Sequence, residues 1–166
     1  MDITLNTTTI KQAVKDDTYI TSLIDKSVDL VKNAPLAYNE AAGDEAYHNR
    51  KLDRTLLGAV KRFEAAVIDF ASADNFSISD STSEGNITIH ITANSRMPDI
   101  DDVITTLTEE YVINMMLYIW WQTIKPTLAK DYHDLAVETF AHVRLLLIKK
   151  APTATSNYTD TTGTTT

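Results

Sequence analysis

The chain of 166 residues contains no cysteine, which excludes a disulfide scaffold, a thiol nucleophile and any zinc site built on thiolates. Its four glycines stand apart at positions 43, 58, 85 and 163, so there is no glycine-rich loop of the kind that cradles phosphates. Positive charge is scarce. Fifteen Lys and Arg face 23 Asp and Glu, a net charge of −8, which argues against a protein held mainly by nucleic-acid phosphates. The first residues lack the basic stretch and long apolar run of a secretory signal. The longest apolar run, Tyr111 to Trp121 broken only by Asn114, is about half of the roughly 20 residues a membrane-spanning helix needs. No membrane partner is expected. His48, His90, His133 and His142 form neither an i,i+4 pair nor an H-E-x-x-H motif, so no metal site, cofactor site or catalytic residue is expected either.

What the sequence does carry is helical periodicity interrupted by one segment of period two. Residues 1–6 alternate weakly, as in a short edge strand or an arm. Thr7, Thr8 and Thr9 offer N-caps for a first helix bearing Ile10, Ala13 and Val14. Asp16-Asp17-Thr18 then reads as an interruption capping a second helix, with Ile20, Ile24, Val28 and Val31 as its stripe and Asn33-Ala34-Pro35 as its stop. After a connection ending at Gly43, acids at 44 and 45 open a helix whose stripe runs through Leu52, Leu56, Ala59, Val60, Phe63, Val67 and Phe70. Arg50, Lys51, Arg54, Lys61 and Arg62 decorate the rest of it, most simply as a solvated face.

Over residues 76–93, Phe76-Ser77-Ile78-Ser79 and Ile87-Thr88-Ile89-His90-Ile91-Thr92 alternate apolar with polar around a turn-rich Asp80–Asn86. This predicts a β-hairpin. An isolated hairpin is marginal in water, so it must pack on helices, pair with residues 1–6 or pair with another chain. Ile100, Ile104, Leu107, Tyr111, Met115, Tyr118 and Trp121 then line one face of a long helix, while Val112, Met116, Ile119 and Trp120 make the other side apolar as well. A helix apolar all round is enclosed on both faces, by its own fold or by a neighbouring subunit. The expectation is that Trp120 and Trp121 divide these roles, with Met116 and Ile119 beside them at an interface. Lys125-Pro126 ends that helix, Thr127 can cap the next, and Ala151-Pro152 closes it, so the two form an antiparallel pair.

The predicted fold is therefore mainly α: a helical bundle with one β-hairpin over residues 1–152, followed by an extended Thr-rich segment, 153–166. Eight of those last fourteen residues are Thr, out of 24 in the chain, and almost nothing there can be buried. Tyr158 is its one sizeable anchor for a contact outside the domain.

Charge is unevenly placed. Residues 74–110 hold eight acids against Arg96 alone, which accounts for −7 of the −8. Three of these acids suit a helix start; Asp80, Glu84, Glu109 and Glu110 are expected to face solvent or a channel from which nucleic acid is repelled. Asp131, Asp134 and Glu138 share a helix face at spacings of three and four and form the best enzyme-like constellation. They support an alternative reading as a helical nucleotide-processing enzyme; a cytoplasmic helical interaction domain is a third.

The run Tyr111-Val112, Trp120/Trp121, Pro126, Tyr132, Ala136, Arg144, Leu147 and Pro152, following a polar hairpin, resembles small structural proteins of tailed bacteriophages, especially those infecting gut Bacteroidetes. The resemblance covers about residues 76–152 and rests on core aromatics and helix stops; the Thr-rich ending departs from the basic ending of such chains. It implies a non-enzymatic virion protein of the neck, a head–tail connector or ring subunit beneath the portal. Its partners would be copies of itself, the portal and other neck or tail proteins, with DNA passing through without specific binding.

Overall fold

The computed structural model describes residues 1–24, 42–43, 45–70, 77–83, 85–92 and 100–148. In chain order these form β1 (Asp2–Asn6), α1 (Thr7–Ile24), α2 (Ala46–Phe70), β2 (Ser77–Ser83), β3 (Asn86–Thr92), α3 (Asp101–Trp121) and α4 (Pro126–Ile148). The fold is mainly α, with four helices and one small antiparallel sheet among the described residues. The Thr-rich segment with Tyr158, and Glu84 of the hairpin turn, lie outside them.

The predicted hairpin is β2–β3, turning at Gly85, whose φ of +80° suits a residue without a Cβ. It is completed by residues 1–6. β1 pairs antiparallel with β3, giving the order β1-β3-β2, so the chain's first residues lie beside a strand some 85 positions away. The alternation that predicted strands also sorts the side chains. Ile3 and Leu5 of β1 and Ile87, Ile89 and Ile91 of β3 point inward and are almost wholly buried. Each burial stabilises by roughly 1.5–3 kcal/mol, enough in sum to fasten a sheet too small to stand alone onto the helices.

α1 differs from the expected two helices. It runs unbroken through Asp16-Asp17-Thr18, because each side chain finds a partner within the helical register. Asp16 accepts from Gln12 Nε2 at 2.8 Å, Asp17 from Thr21 Oγ1 at 3.3 Å, and Thr18 Oγ1 donates to the Lys15 carbonyl at 3.0 Å. With no break, the phase set by Ile10 and Val14 continues to Thr18 and Ser22, all four buried, and Ile20 is left on the outer side at 55% exposure. The rest of the predicted stripe falls outside what is described, except for the backbone of Ile24. The cap is Asn6, not a threonine: its Oδ1 accepts from the amides of Thr8 and Thr9 at 3.0 and 2.9 Å. α4 likewise begins at Pro126, whose missing N–H costs nothing at a first helical position, and so precedes the expected cap, Thr127.

α2 follows its predicted stripe: Leu52, Leu56, Ala59, Val60, Phe63 and Val67 are all buried. The centre of the molecule is α3. α4, α2, α1 and β1 all pack on it, which is why its sequence is apolar on every side. Its partners are elements of the same chain.

Candidate functional site

Both indoles of α3 belong to the core. Trp120 is 2% and Trp121 0% exposed, and Met116 beside them is fully buried. This corrects the expectation that one tryptophan and Met116 would meet a neighbouring subunit, because α2 and α4 already cover the two sides of α3. Ile119 is half-buried and reaches α2, where its Cδ1 lies 3.9 Å from the position a Cβ on Gly58 would take. The rims of the indoles carry cations: Lys51 Nζ sits 3.9 Å from the Trp120 ring centre and Lys125 Nζ 4.7 Å from that of Trp121. His48 meets Trp120 edge to face at 5.7 Å. Burial lowers the pKa of the Lys51 ammonium from its ordinary value. Trp121 Nε1 is buried without a hydrogen-bond acceptor.

The acids expected to be free and outward divide. Glu110 is exposed and Glu109 half-buried. Asp80 is not free: it accepts from Lys61 Nζ at 2.7 Å, and the same ammonium lies 2.8 Å from Glu64 Oε2. Bonds to Asp80 and then Glu64 raise the pKa of Lys61. The pair fastens β2 to α2, so Asp80 joins elements and does not line an open face.

Asp131, Asp134 and Glu138 are all exposed along the outer side of α4. Among the described residues no group of three or more His, Asp or Glu is placed to hold a metal ion. Near the α3–α4 turn a small cavity of about 210 Å³ is lined by Tyr118, Gln122, Pro126, Ala129, Lys130 and His133. Gln122 Nε2 donates to Tyr118 Oη at 3.3 Å, and the His133 ring centre lies 5.0 Å from that of Tyr118. A second cavity of similar size lies between the hairpin turn and the starts of α1 and α2's middle, beside the Lys11–Asp53 ion pair of 2.9 Å.

Two polar contacts were not anticipated from the sequence. Tyr132 Oη of α4 donates to Asp17 of α1 at 2.5 Å; burial, then the bond to Asp17, pushes the phenol up to about 12. On the outer face of the sheet, His90 of β3 reaches Asp2 of β1 through Nδ1 at 2.9 Å and Ser81 of β2 through Nε2 at 3.1 Å. The bond to His90 lowers the pKa of the exposed Asp2. This order of Asp, His and Ser copies the connectivity of a hydrolytic triad, but the three stand on an open, solvent-washed face and neither cavity described above covers them. Their evident effect is to tie all three strands together. The signal was the shared parity of Asp2 and His90 in two alternating segments; it became legible only once β1 was known to pair with β3.

No helix among the described residues is long and apolar enough to cross a membrane. No family model matches the chain, and no curated protein or solved structure does either.

Proposed function

We propose that the protein is a non-enzymatic structural subunit of a tailed-phage virion, a head–tail connector that assembles with its own copies into a ring beneath the portal and forms part of the DNA channel. The observation carrying this reading is the build of the α3–α4 pair. The aromatics and stops on which the connector resemblance rests are its framework: Tyr111, Trp120 and Trp121 fill the core, Pro126 starts α4, and Tyr132 fastens α4 to α1. A net charge of −8 suits a channel wall, since DNA must slide past without the counterion-releasing contacts that Lys and Arg make. The portal and adjoining neck or tail proteins are the proposed partners, and the virion the place of action.

Electron microscopy of the purified full chain mixed with the portal of the same phage tests this directly. The reading expects rings seated coaxially on the portal. Separate particles of portal and protein at micromolar concentration would overturn it.

A further inference from the structure

Among the described residues the sheet ends at β2. β3 occupies one side of β2, and among the described residues the order β1-β3-β2 leaves the other side of β2 without a strand. Natural sheet edges are blunted by Lys, Pro, a bulge or an inward-pointing charge left without a partner in a new pairing. β2, Ser-Ile-Ser-Asp-Ser-Thr-Ser, carries neither residue, and its register with β3 runs without a bulge from Ser77↔Thr92 to Ser83↔Asn86. Its one charge, Asp80, is bound by Lys61 and points toward α2.

Beneath this edge α2 presents two exposed apolar side chains, Leu57 and Ile68, on either side of Lys61. Leu57 lines the cavity that Thr82 and Gly85 also border, and Lys61, one turn on, holds Asp80. α2 and β2 thus run antiparallel, and Ile68 stands two further turns along the same face of α2. Leu57 and Ile68 are 49% and 55% exposed. They stand three turns apart, about 16 Å, close to the length of the strand above them.

We propose that this edge receives the Thr-rich segment, residues 153–166, of a second copy as a fourth strand. The proposal rests on the ring reading above, because the strand is donated by a neighbour. The chemistry of the segment suits the edge in three ways. Thr favours extended backbone, and a row of Thr beside the outward Ser77, Ser79 and Ser81 makes the hydroxyl pairs common across strands. The segment carries a single acidic side chain, Asp160, so a chain otherwise rich in acids brings little repulsion to this edge. Period two would place Ala154, Ser156 and Tyr158 on one side; turned inward, Tyr158 would cover one of the two apolar side chains, Leu57 or Ile68, according to the direction of the added strand. Fourteen extended residues reach about 45–50 Å, enough to cross onto a neighbouring subunit. Main-chain bonds along the edge supply affinity, and the tyrosine supplies register.

The absence of native cysteine makes a crosslinking test clean. One full-length preparation carries Ser79→Cys; seven others each carry a single cysteine at one of positions 153–159. Each is mixed with the first under mild oxidant, and disulfide-linked dimers are quantified beside the particle mass. Crosslinks between unlike chains, with yields alternating at period two along the segment, are expected. Particles that assemble but give no crosslink, or an even yield at all seven positions, overturn the proposal and leave the ring reading standing. Dimers of Ser79→Cys with itself that outcompete the mixed species would place a second copy's β2 on the edge and also overturn it. Monomers without crosslinks overturn both. Leu57→Asp with Ile68→Asp, both exposed, should lower the crosslink yield at least tenfold without altering the circular dichroism; an unchanged yield would remove these two side chains from the account.

Discussion

Trp121 is enclosed on every side, yet its Nε1 donor meets no acceptor, while Trp120 keeps contact with His48 and Lys51. Both indoles are core residues, so Trp120→Ala and Trp121→Ala should each cost about 3–5 kcal/mol in urea unfolding. Trp121→Phe should cost less than Trp121→Ala, because both remove the buried donor without a partner but Phe leaves the smaller cavity. A Trp121→Ala protein as stable as the parent would show that α3 is wrongly placed. At Tyr132 the folded-state pKa is raised to about 12 against an unfolded value near 10. The neutral phenol is therefore favoured in the fold: its contribution is complete below about pH 10 and fades as pH rises toward 12. Thermal melts across that window should fall more steeply for the parent than for Tyr132→Phe; equal slopes would dissociate Tyr132 from the alkaline loss. None of these partners was legible in the sequence. Periodicity says which face a side chain occupies, and Tyr132–Asp17 or His90–Asp2 depends on which elements are neighbours in space.

At the scale of elements, α2, the hairpin and the α3–α4 pair were readable because their apolar positions keep a single period over many turns or alternations. α1 was misread because Asp16-Asp17-Thr18 is good capping chemistry taken alone, and only the partners Gln12, Thr21 and Lys15 absorb it into a continuous helix. Its buried stripe ends in Thr18 and Ser22, polar residues that hydropathy does not mark. Thr18 is held there by accepting the Ala42 amide at 3.0 Å. The true start of α1 makes a prediction. Asn6→Ala removes the acceptor of two amides and should destabilise the protein by about 1 kcal/mol, whereas Thr9→Val, which keeps Asn6, should cost less. The reverse ranking would return the cap to the threonines. In α2, Gly58 lies in mid-helix where an added Cβ meets only Ile119 Cδ1 at 3.9 Å, an ordinary contact. Gly58→Ala should therefore raise stability by roughly 0.5–1 kcal/mol, read as a higher urea midpoint at unchanged slope. A lower midpoint would mean that α2 and α3 approach more closely than this.

The whole molecule is closed by its first strand: β1 pairs with β3, and its Ile3 and Leu5 lie in the same core as Phe63 and the two tryptophans. That closure gives α3 all of its cover from within the chain and returns the indoles to the interior. The proposed assembly would then use surfaces outside the core. Among the described residues the candidates are the edge of β2, the outer sides of α2 and α4, and the acidic positions led by Glu110. The sequence could not show this, because an all-round apolar helix reads the same whether its second face is covered from inside or by a neighbour. In the function proposed above, a fold whose central helix is covered by elements of its own chain is nonetheless a subunit of a ring. Native mass spectrometry of the full chain across a concentration series tests it most directly. A single closed oligomer of fixed, many-fold mass, persisting on dilution to low micromolar concentration, is the predicted result; a mass of one 18.5 kDa chain at every concentration, with or without the portal, would contradict it.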